Sequence, residues 1–479
     1  MNAATLTTFI IYLIGMLAIG VMAYRLTNNL SDYVLGGRKL NPAVAALSAG
    51  ASDMSSWLLL ALPGAIYSNG MGGMWIAVGL CVGAYLNWQF VAKRLRTYTK
   101  TANDSITVPD YFENRFRDAS KSLRVISAIV ILFFFTIYGA SGLVGGAKLF
   151  SSSFGLGYHQ ALWIGAIVII SYTFLGGFLA VSWTDFIQGI LMLLTLIIVP
   201  IVVISNIGGW DNAVREINTI NPELLNAFTG TAVIAIISNL AWGLGYFGQP
   251  HIIVRFMALR SPKDVPKARL IGMTWMVLGL IGAVFTGLIG LAKFAGSPLD
   301  APETVFIVLI QTLFNPWVAG ILLAAILAAI MSTIDSQLLV SSSALAEDFY
   351  KAIFRRQASD KELVWIGRFG VLIIAVIAVI IAWDKNSKVI DLVSYAWGGF
   401  GSAFGPVVLL SLFWKRMTRN GALAGMVVGA ITAVVWKTVI PSDLYELVPG
   451  FILAVLAIWI VSLLDKEPSK EIQDEFKSI

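Results

Sequence analysis

Apolar residues in this chain gather in long blocks, not in the short alternations of a soluble domain. Windows of about 20 apolar residues, enough to cross a bilayer as helix, recur about thirteen times. Their approximate limits are 5–24, 41–68, 71–92, 122–149, 160–180, 183–206, 229–254, 270–294, 311–344, 365–383, 390–413, 421–439 and 446–464. The pattern predicts an all-α polytopic membrane protein with about thirteen transmembrane helices. Two windows carry sequences that should break their helix. In span two, Ser48-Ala49-Gly50-Ala51-Ser52-Asp53-Met54-Ser55-Ser56-Trp57 sets a carboxylate, serines and a glycine near mid-membrane. A charge there costs roughly 2.5–3.5 kcal/mol on insertion scales, and serine competes for backbone hydrogen bonds. In span seven, Trp242-Gly243-Leu244-Gly245-Tyr246-Phe247-Gly248-Gln249-Pro250 holds three glycines and a proline, which should interrupt the helix.

Irregular backbone at membrane depth is tolerated where it lines a cavity, and transport sites are built there. The second break lies five spans after the first. Two five-span units, starting at spans two and seven, would run in opposite directions because five is odd. Paired breaks in inverted halves point to a transport site. The expected division is a first helix and inner loop at 1–40, one repeat at 41–210, a second at 211–415, and two last spans with a tail at 416–479.

Basic residues orient the chain. With the N-terminus outside and the C-terminus in the cytoplasm, all but six of the 33 Lys and Arg fall in inner loops and the tail. The outer six are Lys148, Arg215, Lys293, Lys385, Lys388 and Lys437. This is a strong positive-inside pattern, and it explains the net charge of +6 without nucleic acid. The inner count includes Arg255 as a loop residue. The inner loop at about 93–121 should form a short surface helix, and the tail after Leu464 should be mobile.

Composition agrees. The chain is 58% hydrophobic and 13% charged, against about 45–50% and 25% in soluble domains. The first window has no basic n-region and no small-residue cleavage site, so it reads as a retained span. A single cysteine, Cys81, excludes an intrachain disulfide. Two distant histidines, His159 and His251, argue against a Cys/His metal centre. No cofactor is expected. The lack of a nucleophile motif weighs against a membrane enzyme. The lack of a soluble signalling domain weighs against a non-transporting nutrient sensor. No obligate protein partner is inferred; the lipid bilayer is the expected surrounding.

The breaks suggest chemistry. Freed N–H groups suit a carboxylate and freed C=O groups suit a cation. Trp242 and Tyr246 share a helix face and would either wall a small apolar substrate or pack. In span nine, Ala329, Ser332, Thr333 and Ser336 share one face. They are either close-packing residues or oxygen ligands for sodium, together with carbonyls near Ala51 and Met54. Asp335 lies about 60° round the helix and is not taken as a ligand. Tyr138 either lines the site or packs. Asp185 and Gln188 look like a capping box at the start of span six, after Gly176-Gly177, with an inner-gate role as the alternative. Arg38 is either an inner anchor or the partner of a gate carboxylate. The glycine-rich stretch 397–406 would allow a hinge in span eleven.

The stretches at 36–38, 48–57, 171–188, 242–256, 324–336 and 394–406 together resemble the sodium:solute symporter family. Ser-Ala-Gly-Ala-Ser-Asp-Met-Ser, Gly-Tyr-Phe-Gly-Gln-Pro-His and Met-Ser-Thr occur in the family's order. The resemblance spans nearly the whole chain. It implies a leucine-transporter-like core of two inverted five-helix repeats and sodium-coupled uptake of a small solute, with L-proline expected and another organic solute as the alternative. It implies sodium ligands at the carbonyls of Ala51, Met54 and Ala329 and the hydroxyls of Ser332 and Thr333, with Asp53 in support. It implies substrate contacts at Ser55, Tyr138, Trp242, Tyr246 and Pro250, and coupling or gating roles for Arg38 and Asp185.

Overall fold

The computed structural model describes residues 3–25, 30–173 and 177–479. Among the described residues, helices follow one another from end to end, and the one extended pairing is a backbone bridge between Leu40 and Leu259. Among the described residues, ten helices are long and apolar enough to cross a bilayer. Spans two and seven complete the expected set as broken rods, and span five as the short helix Tyr158–Thr173. Large apolar side chains such as Ile11, Ile201, Val376 and Trp459 are exposed on the outer faces of their helices. In water such area would need a partner.

Span two consists of Pro42–Asp53 and Leu62–Asn69, with the π-helical turn Trp57–Ala61 between them. Asn41 caps the first piece through its side chain, and Pro42 takes the first helical position, where a missing N–H costs nothing. Span seven consists of Val233–Ala241, the 3-10 segment Trp242–Gly248 and Pro250–Ala258. Pro250 again opens a helix. The halves Pro42–Asp53 and Pro250–Ala258 of the two spans pack together, and their ends away from the breaks are joined by Leu40 N–H to Ala258 O (3.2 Å) and Arg260 N–H to Leu40 O (3.0 Å).

Several expectations change. Span six, Phe178–Asn206, starts five residues before the expected 183. Residues 174–176 of the 171–188 stretch, including Gly176, lie outside the described residues. Span nine, Pro316–Ser343, is separated by an Asn315 cap from its own short helix, Val305–Leu313. The inner-loop helix Val108–Phe116 is not superficial, since Val108, Tyr111, Phe112 and Phe116 are buried. The tail is not a loose end: it forms Lys470–Lys477. Arg117 pairs with Glu471 and Glu475, and Phe476 lies under the Arg94 guanidinium at 5.1 Å. The glycine-rich stretch of span eleven stays within one helix, Val389–Phe413.

Candidate functional site

The first helix of span two ends at Met54, whose ψ of 77° leaves the α region. Its N–H still reaches Gly50 O (2.8 Å), while Ser55 N–H turns to Asp53 O (3.0 Å). Carbonyls in the last turn of a helix lack intrahelical partners. Span nine faces this end with its hydroxyl stripe. Ser332 Oγ donates to Ala51 O (2.8 Å) and to Ala329 O (3.2 Å), and Thr333 Oγ1 lies 3.3 Å from Ala51 O. All of these residues, with Met54, are buried. Four of the five expected ligands are therefore joined by these contacts, and Met54 sits at the break beside them. Their oxygens are neutral, a donor set suited to a hard cation.

The Asp53 carboxylate faces away from this cluster. Residues 51 and 53 are roughly 200° apart on a helix. Asp53 Oδ2 accepts a 2.5 Å hydrogen bond from Tyr246 OH, and Asp53 and Asn87 line a small cavity with Met276. Asn87 Nδ2 in turn holds Tyr246 O (3.0 Å). The charge that marks the break thus ties span two to span seven, not to span nine.

An aromatic group closes over the two breaks. Trp242 lies 6.4 Å from Trp57 and 6.3 Å from Trp397, and Tyr246 meets Trp397 edge-on at 5.0 Å. Trp397 Nε1 donates to Trp242 O (2.8 Å). Trp57 Nε1 donates to Asp53 O (3.0 Å), and Tyr138 OH reaches the same carbonyl at 3.4 Å. Ser55 Oγ accepts from Trp57 N–H (3.3 Å). Gly245 makes this packing possible, since a Cβ there would stand 1.9 Å from Trp397 Nε1. Ser55, Tyr138, Trp242 and Tyr246 are thus brought together. Pro250 is set apart, lining a separate cavity with Val254 and Leu339. Trp57, Asn87 and Trp397 went unnamed as site residues in the sequence reading. Trp397 had a signal, because it opens the glycine-rich stretch of span eleven.

Asp185 is not a helix cap. Span six begins at Phe178, so Asp185 lies two turns inside it, fully buried. Gln188 Nε2 donates to Tyr12 OH (2.8 Å) instead of closing a capping box. Arg255 is likewise not a loop cation but a buried residue of Pro250–Ala258. Its guanidinium reaches Asp185 Oδ2 (3.2 Å), Ser48 Oγ (3.1 Å), Ser336 Oγ (2.6 Å) and His251 O (2.7 Å). Ser48 Oγ also donates to Asp185 Oδ2 (2.7 Å). One ion pair therefore joins the Pro42–Asp53 half of span two and the Pro250–Ala258 half of span seven to spans six and nine. Desolvating both charges is costly, and the hydrogen bonds around them offset that cost.

Arg38 meets none of this. It bonds Asp104 Oδ1 (3.0 Å), Thr99 Oγ1 (3.2 Å), Met257 O (2.7 Å) and Ser105 O (2.6 Å), tying the inner loop to the end of span seven. Burial opposes the charge on Asp104, but Lys100 and Arg38 hold its carboxyl below the ordinary value.

Comparisons with known proteins agree with this architecture. Residues 33–429 match the model of the sodium:solute symporter family. The chain is 58% identical to the high-affinity proline transporter PutP of Bacillus subtilis, over 96% of this chain and 98% of that one. It is 55% identical to the sodium/proline symporter of Escherichia coli K12, over 98% and 95%. A solved Na+-coupled sialic acid symporter, in a substrate-bound outward-open state, superposes with a TM-score of 0.82 at 21% identity, covering 98% of this chain and 99% of that one. Mhp1, a nucleobase-cation-symport-1 family transporter, gives 0.57 at 14% identity, over 95% and 100%. The fold is thus leucine-transporter-like, and the chain belongs to the sodium:solute symporter family.

Proposed function

We propose that this chain carries L-proline into a bacterial cell with sodium, by alternating access across the cytoplasmic membrane. It is a multi-pass carrier and not an enzyme. The observation that carries the reading is the meeting of the Ser332 and Thr333 hydroxyls with the Ala51 carbonyl at the break of span two. The names of relatives more than half identical over nearly their full length support proline as the solute.

Sodium, as the co-transported ion, takes the carbonyls of Ala51, Met54 and Ala329 and the hydroxyls of Ser332 and Thr333. To admit it, both hydroxyls rotate their protons away from the carbonyls they now serve. Bound sodium locks the end of the first half of span two to span nine. Asp53, through Tyr246, transmits that order to the break of span seven. Proline then binds at the breaks, its carboxylate toward freed N–H groups and its ring against Trp242 and Tyr246. Ser55 and Tyr138 complete the wall, and Pro250 fixes the start of the inner helix. Arg38 clamps the inner loop, and Asp185 with Arg255 forms the inner gate. Ligands shift such states only through differential affinity, so sodium and proline together must favour the gate's opening.

The driving force suffices. One sodium ion gains about 2.3 kcal/mol from a 100 mV potential and about 1.4 kcal/mol from a tenfold gradient. Their sum corresponds to roughly several-hundred-fold accumulation. The N-terminus lies outside and the C-terminus in the cytoplasm, and the repeats occupy 41–210 and 211–415. The test is proline uptake into proteoliposomes under an imposed sodium gradient. Uptake that is indifferent to replacing sodium by potassium would sink the coupling. Sodium-driven uptake of a competing organic solute in place of proline would move the substrate and leave the coupling.

A further inference from the structure

Span nine does not stop where its α-helix stops. Beyond Ser343 it continues as a π-helical turn, Ala344–Tyr350, a rare form found frequently at functional sites. This turn carries Asp348, whose side chain is fully buried. Asp348 Oδ1 accepts from Thr107 Oγ1 (3.0 Å) and from Arg124 Nε (2.9 Å). Asp348 Oδ2 is buried without a hydrogen-bond partner.

Asp348 lines a cavity of about 20 Å³, enough for one guest of water size, which needs roughly 10–15 Å³. The polar side chains on its wall are Thr107, Ser343 and Asp348, and Pro250 and Val254 of span seven belong to the apolar remainder. Ser343 lies ~15 Å along span nine from Thr333, so the cavity is separate from the hydroxyl cluster at the break.

The charges beside this cavity do not balance. Arg124, near the start of span four, meets three carboxylates: Asp110 Oδ1 (2.5 Å), Glu113 Oε2 (3.0 Å) and Asp348 Oδ1 (2.9 Å). All four side chains are mostly buried. Lys121 favours the charge on Glu113 from farther off, and Asp118 opposes it. Buried charges are tolerated when paired or when they hold a metal ion, and a buried acceptor left unpaired costs about 1–3 kcal/mol, more when charged. A cation against Asp348 Oδ2 satisfies both conditions. Oxygen ligands of this kind suit hard cations. Divalent ions want six or more oxygens or several retained waters, which one free carboxylate oxygen, two hydroxyls and apolar walls do not supply. The single free anionic oxygen matches a single positive charge.

We propose that this cavity is a second cation site, holding one monovalent alkali cation between Asp348 Oδ2 and the hydroxyl oxygens of Thr107 and Ser343. The two hydroxyls send their protons elsewhere, to Asp348 Oδ1 (3.0 Å) and Leu339 O (2.9 Å), which leaves each a lone pair for the ion. The ion braces the start of helix Val108–Phe116 and the end of span nine against the Pro250–Ala258 half of span seven. In the proposed orientation the site faces the cytoplasm, where potassium as well as sodium can fill it.

The test is equilibrium binding of radioactive sodium, and of radioactive rubidium as a stand-in for potassium, to the purified chain in choline buffer. The Ser332→Ala, Thr333→Ala variant is the background, because it lacks the hydroxyls of the coupling site. It should still bind about one alkali cation per chain, saturably. Sodium binding alone marks a sodium site, and rubidium binding marks one that potassium fills. Adding Asp348→Asn should weaken this binding at least about thirtyfold, as for a lost charged ligand, and adding Ser343→Ala about fivefold, as for a neutral one. The cation should also raise the unfolding temperature of the background and leave that of the Asp348→Asn chain unmoved. Absence of saturable binding of either ion in the background, the result for a cavity that takes only a water or a proton, overturns the proposal. So does binding untouched by Asp348→Asn. If Asp348→Asn does not fold, Ser343→Ala decides, and unchanged affinity there overturns the site. Sodium binding equal in wild type and background would instead refute the coupling site at Ser332 and Thr333, with the Asp348 comparison still deciding this one.

Discussion

Replacing Arg255 by methionine removes the cation paired with Asp185. Both side chains are fully buried, so the change leaves a carboxylate without water or counter-charge. Breaking a buried pair in this way typically costs about 3–5 kcal/mol. The pair joins spans two, six, seven and nine, and in the proposed mechanism its loss releases the inner gate. A bias of about 3 kcal/mol is a roughly 150-fold shift toward the inward-open state. Asp185→Asn, which strands the arginine instead, should act in the same direction. Replacing both partners by apolar residues should restore much of the stability, because apolar packing often matches a buried ion pair.

Accessibility reads this shift directly. In a Cys81→Ser background, a cysteine at Ala258 reports the inner end, where the Ala258 carbonyl holds Leu40 N–H at 3.2 Å. A membrane-impermeant maleimide added to the inner face should label it slowly in the otherwise unchanged protein. Labelling should be at least about 30-fold faster with Arg255→Met. A second reporter at Ala324, buried in span nine, should stay unreactive in both, which separates opening from unfolding. Equal Ala258 labelling with and without Arg255 would refute the gate.

Three further predictions concern separate parts of the structure. Ser332→Ala with Thr333→Ala should raise the half-saturating sodium concentration for uptake by at least about tenfold, with unchanged protein levels. Gly245→Ala places a methyl 1.9 Å from Trp397 Nε1, and such overpacking costs about 1–3 kcal/mol; thermal unfolding in detergent should fall and proline KM should rise. Asp118, near the inner surface, loses by burial but gains more from Ser120, the Leu123 N–H and Arg419, so its carboxyl lies below the ordinary value. That stability is complete above about pH 3.9 and is lost as pH falls through the lower folded value. Acid melting should show this decline, and Asp118→Asn should abolish it.

The number of crossings and both breaks were legible because lipid imposes a crude, strong pattern, and because Gly and Pro announce where a helix stops. The hydroxyl stripe of span nine was legible as one face by its spacing. What it would touch was not, since the Ala51 carbonyl lies more than 280 residues earlier. The contact that the Asp53 carboxylate makes was not legible for a similar reason: its partner Tyr246 belongs to the other half of the chain. Asp185 looked like a cap because its helix start was set at 183, and residues 178–182 are apolar enough to hide the true start. Arg255 looked like a loop cation because charge counting assumes water around every arginine. A buried arginine fits only with a buried acid beside it, and that acid is 70 residues away in sequence.

The central claim is that sodium bound between spans two and nine is what moves the solute. The direct measurement is sodium influx in the same vesicles that take up proline, using radioactive sodium with no initial sodium gradient. Addition of outside proline to wild type should start sodium entry in fixed proportion to proline entry, and the Ser332→Ala, Thr333→Ala variant should lose both at that sodium concentration. Proline entry without accompanying sodium would contradict the account, as would undiminished coupled entry in the double variant.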